Sequence, residues 1–261
     1  MTRTATSADA DARANGPATA HPLDLARAFL EAARAGQPDG ATRAALAAQR
    51  PHELAAALPD DAARLAFWLN VYNAAVRARL LADPAAYGRR WRFFGAPAVT
   101  VAGRRLSPNA IEHGILRRSA FLAGFGYLRN PVPSSFERAL RVDRVDARIH
   151  FALNCGARSC PPLAAWDPAT LDADLDQATG AYLAAESTRS ADGREVRVPR
   201  LLLWYRGDFG GRAGILVLLR RHGVIAPGEA SRLRFAGYDW TLDVGGPGAA
   251  SDGRHGTGAA P

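Results

Sequence analysis

The sequence contains no lysine: all 33 of its basic residues are arginine. Without lysine the chain cannot form a Schiff base, complete a phosphate-binding P-loop or supply the lysine that kinases use. The net charge of +8 would ordinarily suggest binding to nucleic acid. Because arginine alone carries the positive charge, we interpret it as a coding bias and predict no nucleic-acid partner.

Long apolar runs are also missing. No stretch reaches the roughly 20 apolar residues that a membrane-spanning helix needs, and the amino terminus lacks the pattern of a secretion signal. We therefore predict a cytoplasmic protein without a membrane partner. The chain has only 2 cysteines. In the cytoplasm we expect both to be reduced, so a structural disulfide is the less favoured interpretation.

Both ends of the chain are poor in the large apolar residues that build a core. Residues 1–20 and 245–261 consist mainly of small and polar residues, and we predict that both are disordered tails. The remaining residues, 21–244, are enough for one globular domain, in which residues 21–59 form a helical preface.

The distribution of apolar residues predicts an α+β fold, with a small, mostly antiparallel sheet flanked by helices. Predicted helices cover residues 22–36, 41–57, 61–82, 107–118, 168–186 and 209–222. Predicted strands cover residues 99–101, 105–106, 145–155, 195–198, 232–235 and 238–244. This order lacks the regular βα alternation of a doubly wound parallel sheet.

The helix at 61–82 is apolar around most of its circumference, which is typical of a helix buried at the centre of a domain. Asn70, Asn73 and Arg77 form a polar stripe along one side of it. Buried amides need hydrogen-bond partners, and most often they hold backbone loops. The alternative is that Asn70 and Asn73 face a site and bind substrate.

Most of the reactive side chains lie in one short segment, residues 148–162, which contains both cysteines. If residues 145–155 form a regular strand, His150 and Cys155 point to opposite faces, and Cys155 points into the apolar core. Cys160 follows a turn, and we expect it to fold back toward His150.

Three interpretations of this segment remain open. In the first, Cys160 is a thiolate nucleophile, His150 is its general base, and Arg158 lies nearby to favour the thiolate. In the second, Cys155 and Cys160 bind zinc together with a histidine, although C-x4-C without a second ligand pair is a weak zinc signal. In the third, the thiols are small buried side chains and His150 is held by a backbone carbonyl.

Two acidic residues outside this segment are candidates to orient the imidazole of His150. Glu112 belongs to the helix predicted at 107–118, where neighbouring side chains point about 100° apart, so we expect no acid–base pair with His113. The alternative for Glu112 is a buried salt bridge to an arginine. Asp208 precedes a helix, and N-capping is its simpler role.

Polar side chains set among apolar neighbours are costly unless they bond to one another, so we predict that four of them converge in one site. The converging residues are Asn70, Glu112, His150 and Cys160. The side chains predicted to bind substrate are Asn70, Asn73, Asn154 and Arg158. We assign no metal ligand and no cofactor, and we expect a small-molecule or peptide substrate.

Six short blocks of sequence occur in order over roughly residues 60–243. They are Phe67-Trp68-Leu69-Asn70-Val71-Tyr72-Asn73-Ala74, Ile111-Glu112-His113-Gly114-Ile115-Leu116-Arg117, His150-Phe151-Ala152-Leu153-Asn154-Cys155-Gly156, Ser159-Cys160-Pro161-Pro162-Leu163, Asp208-Phe209 and Tyr238-Asp239-Trp240-Thr241-Leu242. This series resembles the DUF547 family, which is by name a domain of unknown function. The resemblance implies an α+β fold and supplies no reaction.

The same layout is loosely similar to transglutaminase and papain-like folds, in which a central helix packs on a sheet that presents a histidine. In those folds the nucleophilic cysteine usually opens the central helix, whereas both cysteines here lie downstream of it. We predict a thiol-dependent acyl-transfer or hydrolytic enzyme. The alternatives are a non-catalytic protein-interaction or structural module and a Cys/His zinc site.

Overall fold

The computed structural model of the chain describes residues 20–227 and 232–243. The fold is α+β, as predicted. Its α-helices are α1 (Pro22–Ala35), α2 (Gly40–Ala48), α3 (Pro51–Ala57), α4 (Asp61–Ala82), α5 (Arg90–Gly95), α6 (Ser135–Leu140), α7 (Leu171–Glu186), α8 (Leu201–Trp204) and α9 (Gly211–Arg221). Two 3₁₀-helices span Pro84–Arg89 and Ala147–Phe151, and a π-helix spans Ala110–Leu116. The strands are β1 (Val99–Val101), β2 (Arg104–Leu106), β3 (Thr188–Arg189), β4 (Glu195–Val198) and β5 (Arg232–Phe235).

Helix α4 belongs to the larger hydrophobic cluster and is the central helix that the sequence predicted. Its N-cap residue, Asp60, accepts a hydrogen bond from the Ala63 amide at 2.8 Å, and the helix ends before Asp83. Every residue from 65 to 77 is buried. Because α4 is enclosed on all sides, each polar side chain in this stretch must find a partner inside the protein.

The strands form two small sheets rather than one. β1 and β2 pair antiparallel in the hairpin that the sequence predicted, and the turn between them places Ala102 and Gly103 at positive φ. In the second sheet β3 and β4 pair antiparallel, whereas β4 and β5 pair parallel. A parallel pair needs a long crossover connection, which α8 and α9 supply.

The second strand of the predicted last pair, at residues 238–244, does not form within the described residues. Leu242 makes an isolated antiparallel bridge to Ala157, and the Arg158 amide donates to the carbonyl oxygen of Thr241 at 2.9 Å. Residue 244 lies outside the described part of the chain. The segment therefore attaches to the loop that carries the cysteines.

The strand predicted at residues 145–155 is wrong. The segment forms the 3₁₀-helix Ala147–Phe151. Its N-cap residue is Asp146, whose carboxylate accepts a hydrogen bond from the Arg148 amide at 2.9 Å. Every residue from 149 to 153 is buried. When a short turn is buried on all sides, most of its residues are apolar. The spacing of those apolar residues then does not distinguish the turn from a buried strand.

Hydrophobic side chains of the described residues form two clusters, one around α4 and one among α7, α9 and the second sheet. The single domain expected over residues 21–244 stays a prediction. The tails expected at 1–20 and 245–261 lie outside the described residues, apart from Ala20. None of the helices in the described part of the chain combines the length and the apolarity needed to cross a membrane.

Candidate functional site

A cavity of about 170 Å³ lies beside the π-helix, the 3₁₀-helix Ala147–Phe151 and the cysteine loop, which we define as residues 154–162. Its wall contains three of the four side chains predicted to converge, together with a second histidine and the second cysteine. These residues are Glu112, His113, His150, Cys155 and Cys160. Most of the remaining wall is apolar and includes Phe94, Leu122, Trp204, Tyr205, Tyr238 and Trp240.

His150 is held by Asp208. The Nε2 atom of His150 lies 2.9 Å from Oδ2 of Asp208, and the same oxygen accepts a hydrogen bond from Nε of Arg117 at 2.6 Å. The side chains of Arg117 and Asp208 are fully buried. Burial by itself raises the pKa of Asp208, but the hydrogen bonds from His150 and Arg117 lower it below its ordinary value. Asp208 is therefore a carboxylate at neutral pH.

The hydrogen bond to Asp208 defines the tautomer of His150. Burial lowers the pKa of His150, although the bond to Asp208 opposes this effect. A neutral imidazole that donates Nε2–H to a carboxylate has an unprotonated Nδ1, which is the basic nitrogen. An imidazole oriented by a buried carboxylate is the arrangement that hydrolases use for general base catalysis.

Tyr205 connects His150 to Glu112. Its ring stacks on the imidazole of His150, with the centroids 3.6 Å apart and the planes 12° apart. Its hydroxyl donates to Oε1 of Glu112 at 2.9 Å. Burial and the charge of Glu112 raise the pKa of Tyr205 well above its usual value, so the hydroxyl keeps its proton. Burial opposes ionisation of Glu112, but His113, His150, Arg117 and the Tyr205 hydroxyl together lower its pKa.

His113 is the second imidazole of the cavity. Its Nδ1 lies 2.7 Å from Nη1 of Arg117. Because a guanidinium can only donate, Nδ1 must accept, and His113 is neutral with its proton on Nε2. Burial lowers its pKa, which agrees with a neutral ring.

Glu112 and His113 approach each other although they are neighbours in the chain. Oε1 of Glu112 lies 3.7 Å from Nδ1 of His113, and because that nitrogen carries no proton the two side chains form no acid–base pair. The sequence argument against such a pair assumed an α-helix, whereas the segment is a π-helix. In the π-helix the Arg117 amide bonds to the Glu112 carbonyl five residues back, and this wider turn reduces the angle between neighbours.

Cys155 and Cys160 are joined by a disulfide, and both are partly exposed in the cavity wall. The hydroxyl of Tyr238 lies 3.3 Å from each sulfur. The backbone amide of Cys155 donates to the sulfur of Cys160 at 2.8 Å. This arrangement differs from the expectation of two reduced thiols with Cys155 in the core. The reason is that the loop turns at Gly156, which has a positive φ of 82°, so both side chains reach the same side.

Residues 56–183 match the model of a known family, DUF547, which is described as a protein of unknown function. The chain contains a DUF547 domain. The matched span includes His150 and both cysteines, whereas Tyr205, Asp208 and Tyr238 lie beyond its end. No curated protein and no solved structure matches the chain. The similarity to transglutaminase and papain-like folds stays a prediction.

The two asparagines of α4 hold backbone segments of the DUF547 domain. The side-chain amide of Asn70 donates from Nδ2 to the backbone carbonyl oxygen of Trp166 at 2.8 Å. Its Oδ1 accepts from the backbone amide of Trp166 at 2.9 Å. Asn73 likewise donates to the Ala152 carbonyl at 3.0 Å and accepts from the Asn154 amide at 2.9 Å. In both asparagines the side-chain NH₂ group and the side-chain oxygen are therefore hydrogen-bonded to backbone groups. Neither side chain lines the cavity.

The other two residues predicted to bind substrate also have structural contacts. Asn154 donates to the carbonyl oxygen of Pro161 at 2.7 Å and accepts from the Gly156 amide at 3.0 Å, so it shapes the cysteine loop. Arg158 is exposed, with its Nη1 3.6 Å from Oδ2 of Asp239. Binding of substrate by Asn70, Asn73, Asn154 and Arg158 stays a prediction that these contacts do not favour.

Sequence reasoning did not identify several residues that shape this site. Tyr205, Tyr238 and Arg117 were not among the candidate site residues that the sequence predicted. Arg117 lies four positions after His113 within an apolar run, and this spacing indicates that the two side chains are neighbours on one face of a helix. Asp208 is not a helix cap, because the N-cap residue of α9 is Gly210.

The zinc interpretation receives no support from the geometry. Within residues 20–227 and 232–243, no group of three or more His, Cys, Asp or Glu side chains is placed to hold a metal ion. Nδ1 of His113 and Nε2 of His150 are both used in hydrogen bonds within the protein.

Proposed function

We propose that the protein is a thiol-dependent enzyme of the acyl-transfer or hydrolytic kind. Cys160 is its nucleophile, His150 its general base, and Asp208 the residue that orients the imidazole. One observation carries this proposal: Cys160 and the Asp208-bound His150 belong to the same cavity wall. Glu112, which the sequence also nominated to orient His150, is bonded to Tyr205 instead.

Cys160 is the better nucleophile of the two cysteines. Its sulfur accepts the backbone amide of Cys155, and a hydrogen bond to sulfur stabilises the thiolate over the thiol. The Tyr238 hydroxyl, which burial keeps protonated by raising its pKa, can donate to the same sulfur. Cys155 is then the resolving thiol that forms the disulfide when the site is oxidised.

The working form of the enzyme is the dithiol. An external dithiol or glutathione reduces the Cys155–Cys160 disulfide by exchange and is itself oxidised to a disulfide. In the cytoplasm, where we predict the protein to reside, such reductants keep thiols reduced. The dithiol is therefore the form expected at rest in the cytoplasm, and the disulfide is the oxidised, inactive form of the site.

In the proposed reaction these groups act in sequence. Nδ1 of His150 takes the proton of the Cys160 thiol, and the thiolate forms a bond to the carbonyl carbon of the substrate. Asp208 stabilises the resulting imidazolium, which returns the proton to the leaving group as the bond from carbon to that group breaks. Water or a second nucleophile then cleaves the thioester. Nε2–H of His113 is the candidate donor to the oxyanion.

The size of the cavity limits the acyl group. At about 170 Å³ it is smaller than the sites of drug-sized ligands, which span roughly 300 to 1,000 Å³. With its mostly apolar wall, it suits a short acyl group or one amino-acid side chain of a peptide. The substrate class remains the small molecule or peptide that we predict from the sequence.

Alkylation of the reduced protein by iodoacetamide tests the proposal. We expect Cys160 of the Cys155→Ser variant to react with an apparent pKa below the ordinary value of about 8.5, and His150→Asn to move that pKa upward. His52→Asn, on the exposed surface of α3, is the matched control and should have no effect. Reaction of Cys160 only at the ordinary pKa, or only after unfolding, would contradict the proposal.

The disulfide also favours a second candidate, a non-catalytic structural or protein-interaction module in which the crosslink only fixes the cysteine loop. In that case no acyl donor would modify the reduced protein. Mass spectrometry after incubation with p-nitrophenyl acetate separates the two candidates. Acetylation of Cys160 that depends on His150 supports the enzyme.

A further inference from the structure

Residues 119–132 form a hairpin, which we call the apolar hairpin. The Asn130 amide donates to the Ser119 carbonyl at 2.7 Å, and the Phe121 amide donates to the Leu128 carbonyl at 2.9 Å. Six large apolar side chains of this segment are between 45% and 78% exposed: Phe121, Leu122, Phe125, Tyr127, Leu128 and Val132. Contiguous apolar surface of this kind on a folded protein marks an interaction site.

Backbone packing beneath the hairpin fixes its position. The Gly207 amide donates to the carbonyl oxygen of Phe125 at 2.7 Å. Gly126 has a φ of 86°, and a Cβ atom added there would lie 2.6 Å from the backbone nitrogen of Asp208. The hairpin therefore presents its apolar side chains on a supported backbone that is held against the segment of Asp208.

The charged residues of the hairpin and of its sequence flanks are arginines, although the carboxylates of Asp208 and Glu137 pack against its base. No acidic residue occurs between Glu112 and Glu137 in the sequence. Arg118 and Arg129 are exposed at the base of the hairpin. The guanidinium of Arg206 lies 4.9 Å from the ring centroid of Phe125 and 5.8 Å from that of Tyr127. Exposed aromatic side chains interleaved with arginines are suited to the boundary between water and lipid headgroups.

A second exposed anchor occurs near the same cavity. Helix α5 contributes Phe94 to the cavity wall and leaves Trp91 75% exposed, with the Arg92 guanidinium 5.3 Å from its ring centroid. Leu122 belongs both to the apolar hairpin and to the cavity wall. Two arginine-flanked apolar elements therefore border one cavity.

We infer that the apolar hairpin docks on the surface of an anionic phospholipid bilayer, with its exposed side chains among the headgroups and its arginines on the phosphates. Arg118, Arg129 and Arg206 give the surface around the hairpin its positive charge. A second copy of the chain would bring like charges together, whereas an anionic bilayer complements both the charge and the apolar surface. This inference is independent of the thiol chemistry. It departs from the prediction of no membrane partner, which considered only membrane-spanning segments and secretion signals.

Vesicle sedimentation of the full-length protein tests the inference. We expect the protein to sediment with vesicles of phosphatidylcholine mixed with phosphatidylglycerol, to remain in solution with phosphatidylcholine alone, and to be released by salt. The double variant Phe121→Ser/Leu128→Ser should bind about tenfold more weakly, because two apolar anchors are lost. Arg118→Gln should weaken binding about fivefold.

Val217→Ser is the matched control, because Val217 is a 62% exposed apolar side chain on α9. It should bind like the unmodified protein, and circular dichroism melting checks that each variant is folded. Three outcomes would overturn the inference. In the first, the unmodified protein does not sediment with anionic vesicles. In the second, Val217→Ser loses as much vesicle binding as the double variant. In the third, the protein self-associates, and the double variant abolishes this self-association but binds vesicles as the unmodified protein does.

Discussion

Oδ2 of Asp208 lies 2.9 Å from Nε2 of His150, although 58 positions separate the two residues in the chain. The same oxygen binds Arg117, so one carboxylate joins a guanidinium and an imidazole inside the protein. This pairing determines both the charge of Asp208 and the tautomer of His150. The stability of the fold and the chemistry of the site therefore depend on one side chain.

Replacing Asp208 by asparagine should destabilise the protein strongly. The change removes the carboxylate that is hydrogen-bonded to the fully buried guanidinium of Arg117, and breaking a buried ion pair in this way costs about 3 kcal/mol or more. Urea unfolding at neutral pH measures the loss. Asp239→Asn removes an exposed ion pair with Arg158 and should cost less than about 1 kcal/mol. Equal effects of the two changes would show that Asp208 does not stabilise Arg117.

Acidification should destabilise the protein through its buried histidines. Burial lowers the pKa of His150 and of His113 in the folded state. Each histidine therefore binds fewer protons in the folded state than in the unfolded state. Its contribution to the free energy of unfolding is complete above the unfolded pKa of about 6.5. That contribution decreases as the pH falls below this value. Each histidine should contribute a slope of up to about 1.4 kcal/mol per pH unit to the free energy of unfolding, measured with urea.

The control for this pH dependence is a pair of histidine variants. His113→Gln keeps an acceptor for Arg117 but cannot titrate, so the slope below about pH 6.5 should become shallower. His52→Asn changes an exposed side chain and should leave the slope as it is. A slope that is the same in both variants would mean that His113 does not titrate with unfolding.

Local patterns predicted much of the fold. The caps and the apolar circumference of residues 61–82 were enough to predict α4 as the central helix, and short apolar runs around a turn predicted the β1–β2 hairpin. Glu112, His150 and Cys160 could be nominated for one cavity because each is a reactive group among apolar neighbours. These predictions depended only on residues close together in the chain.

The features that the sequence did not reveal depend on distant contacts or on backbone geometry. Asp208 was nominated from the sequence to orient His150, but its ion pair with Arg117 joins residues 91 positions apart, and no local pattern links them. The two-residue alternation of residues 145–155 predicted a strand, but a buried 3₁₀-turn has the same pattern, and the error also misplaced Cys155. The π-helix that brings Glu112 near His113 has no distinct periodicity.

Reduction of the Cys155–Cys160 disulfide should lower stability only modestly. The crosslink closes a loop of five positions, and the loss of so small a constraint costs about 2 kcal/mol in the chain-entropy account. Urea unfolding with and without a phosphine reductant measures this difference. The double variant Cys155→Ser/Cys160→Ser should have the lower stability already and show no response to the reductant. A response in that variant would exclude the disulfide as the cause.

Gly126→Ala and Gly103→Ala form a matched pair of variants. They test whether packing of Gly126 against the backbone of Asp208 positions that residue. Both glycines have positive φ, 86° and 73°, so alanine is strained by about 1 kcal/mol at either position. A Cβ on Gly103 would meet nothing within 4 Å, whereas one on Gly126 would lie 2.6 Å from the Asp208 nitrogen. Gly126→Ala should therefore lower the free energy of unfolding in urea more than Gly103→Ala does. Because Asp208 holds His150, Gly126→Ala should also shift the pH dependence of Cys160 alkylation in the reduced protein. If the two variants behave alike, the contact between Gly126 and the Asp208 segment does not position the imidazole.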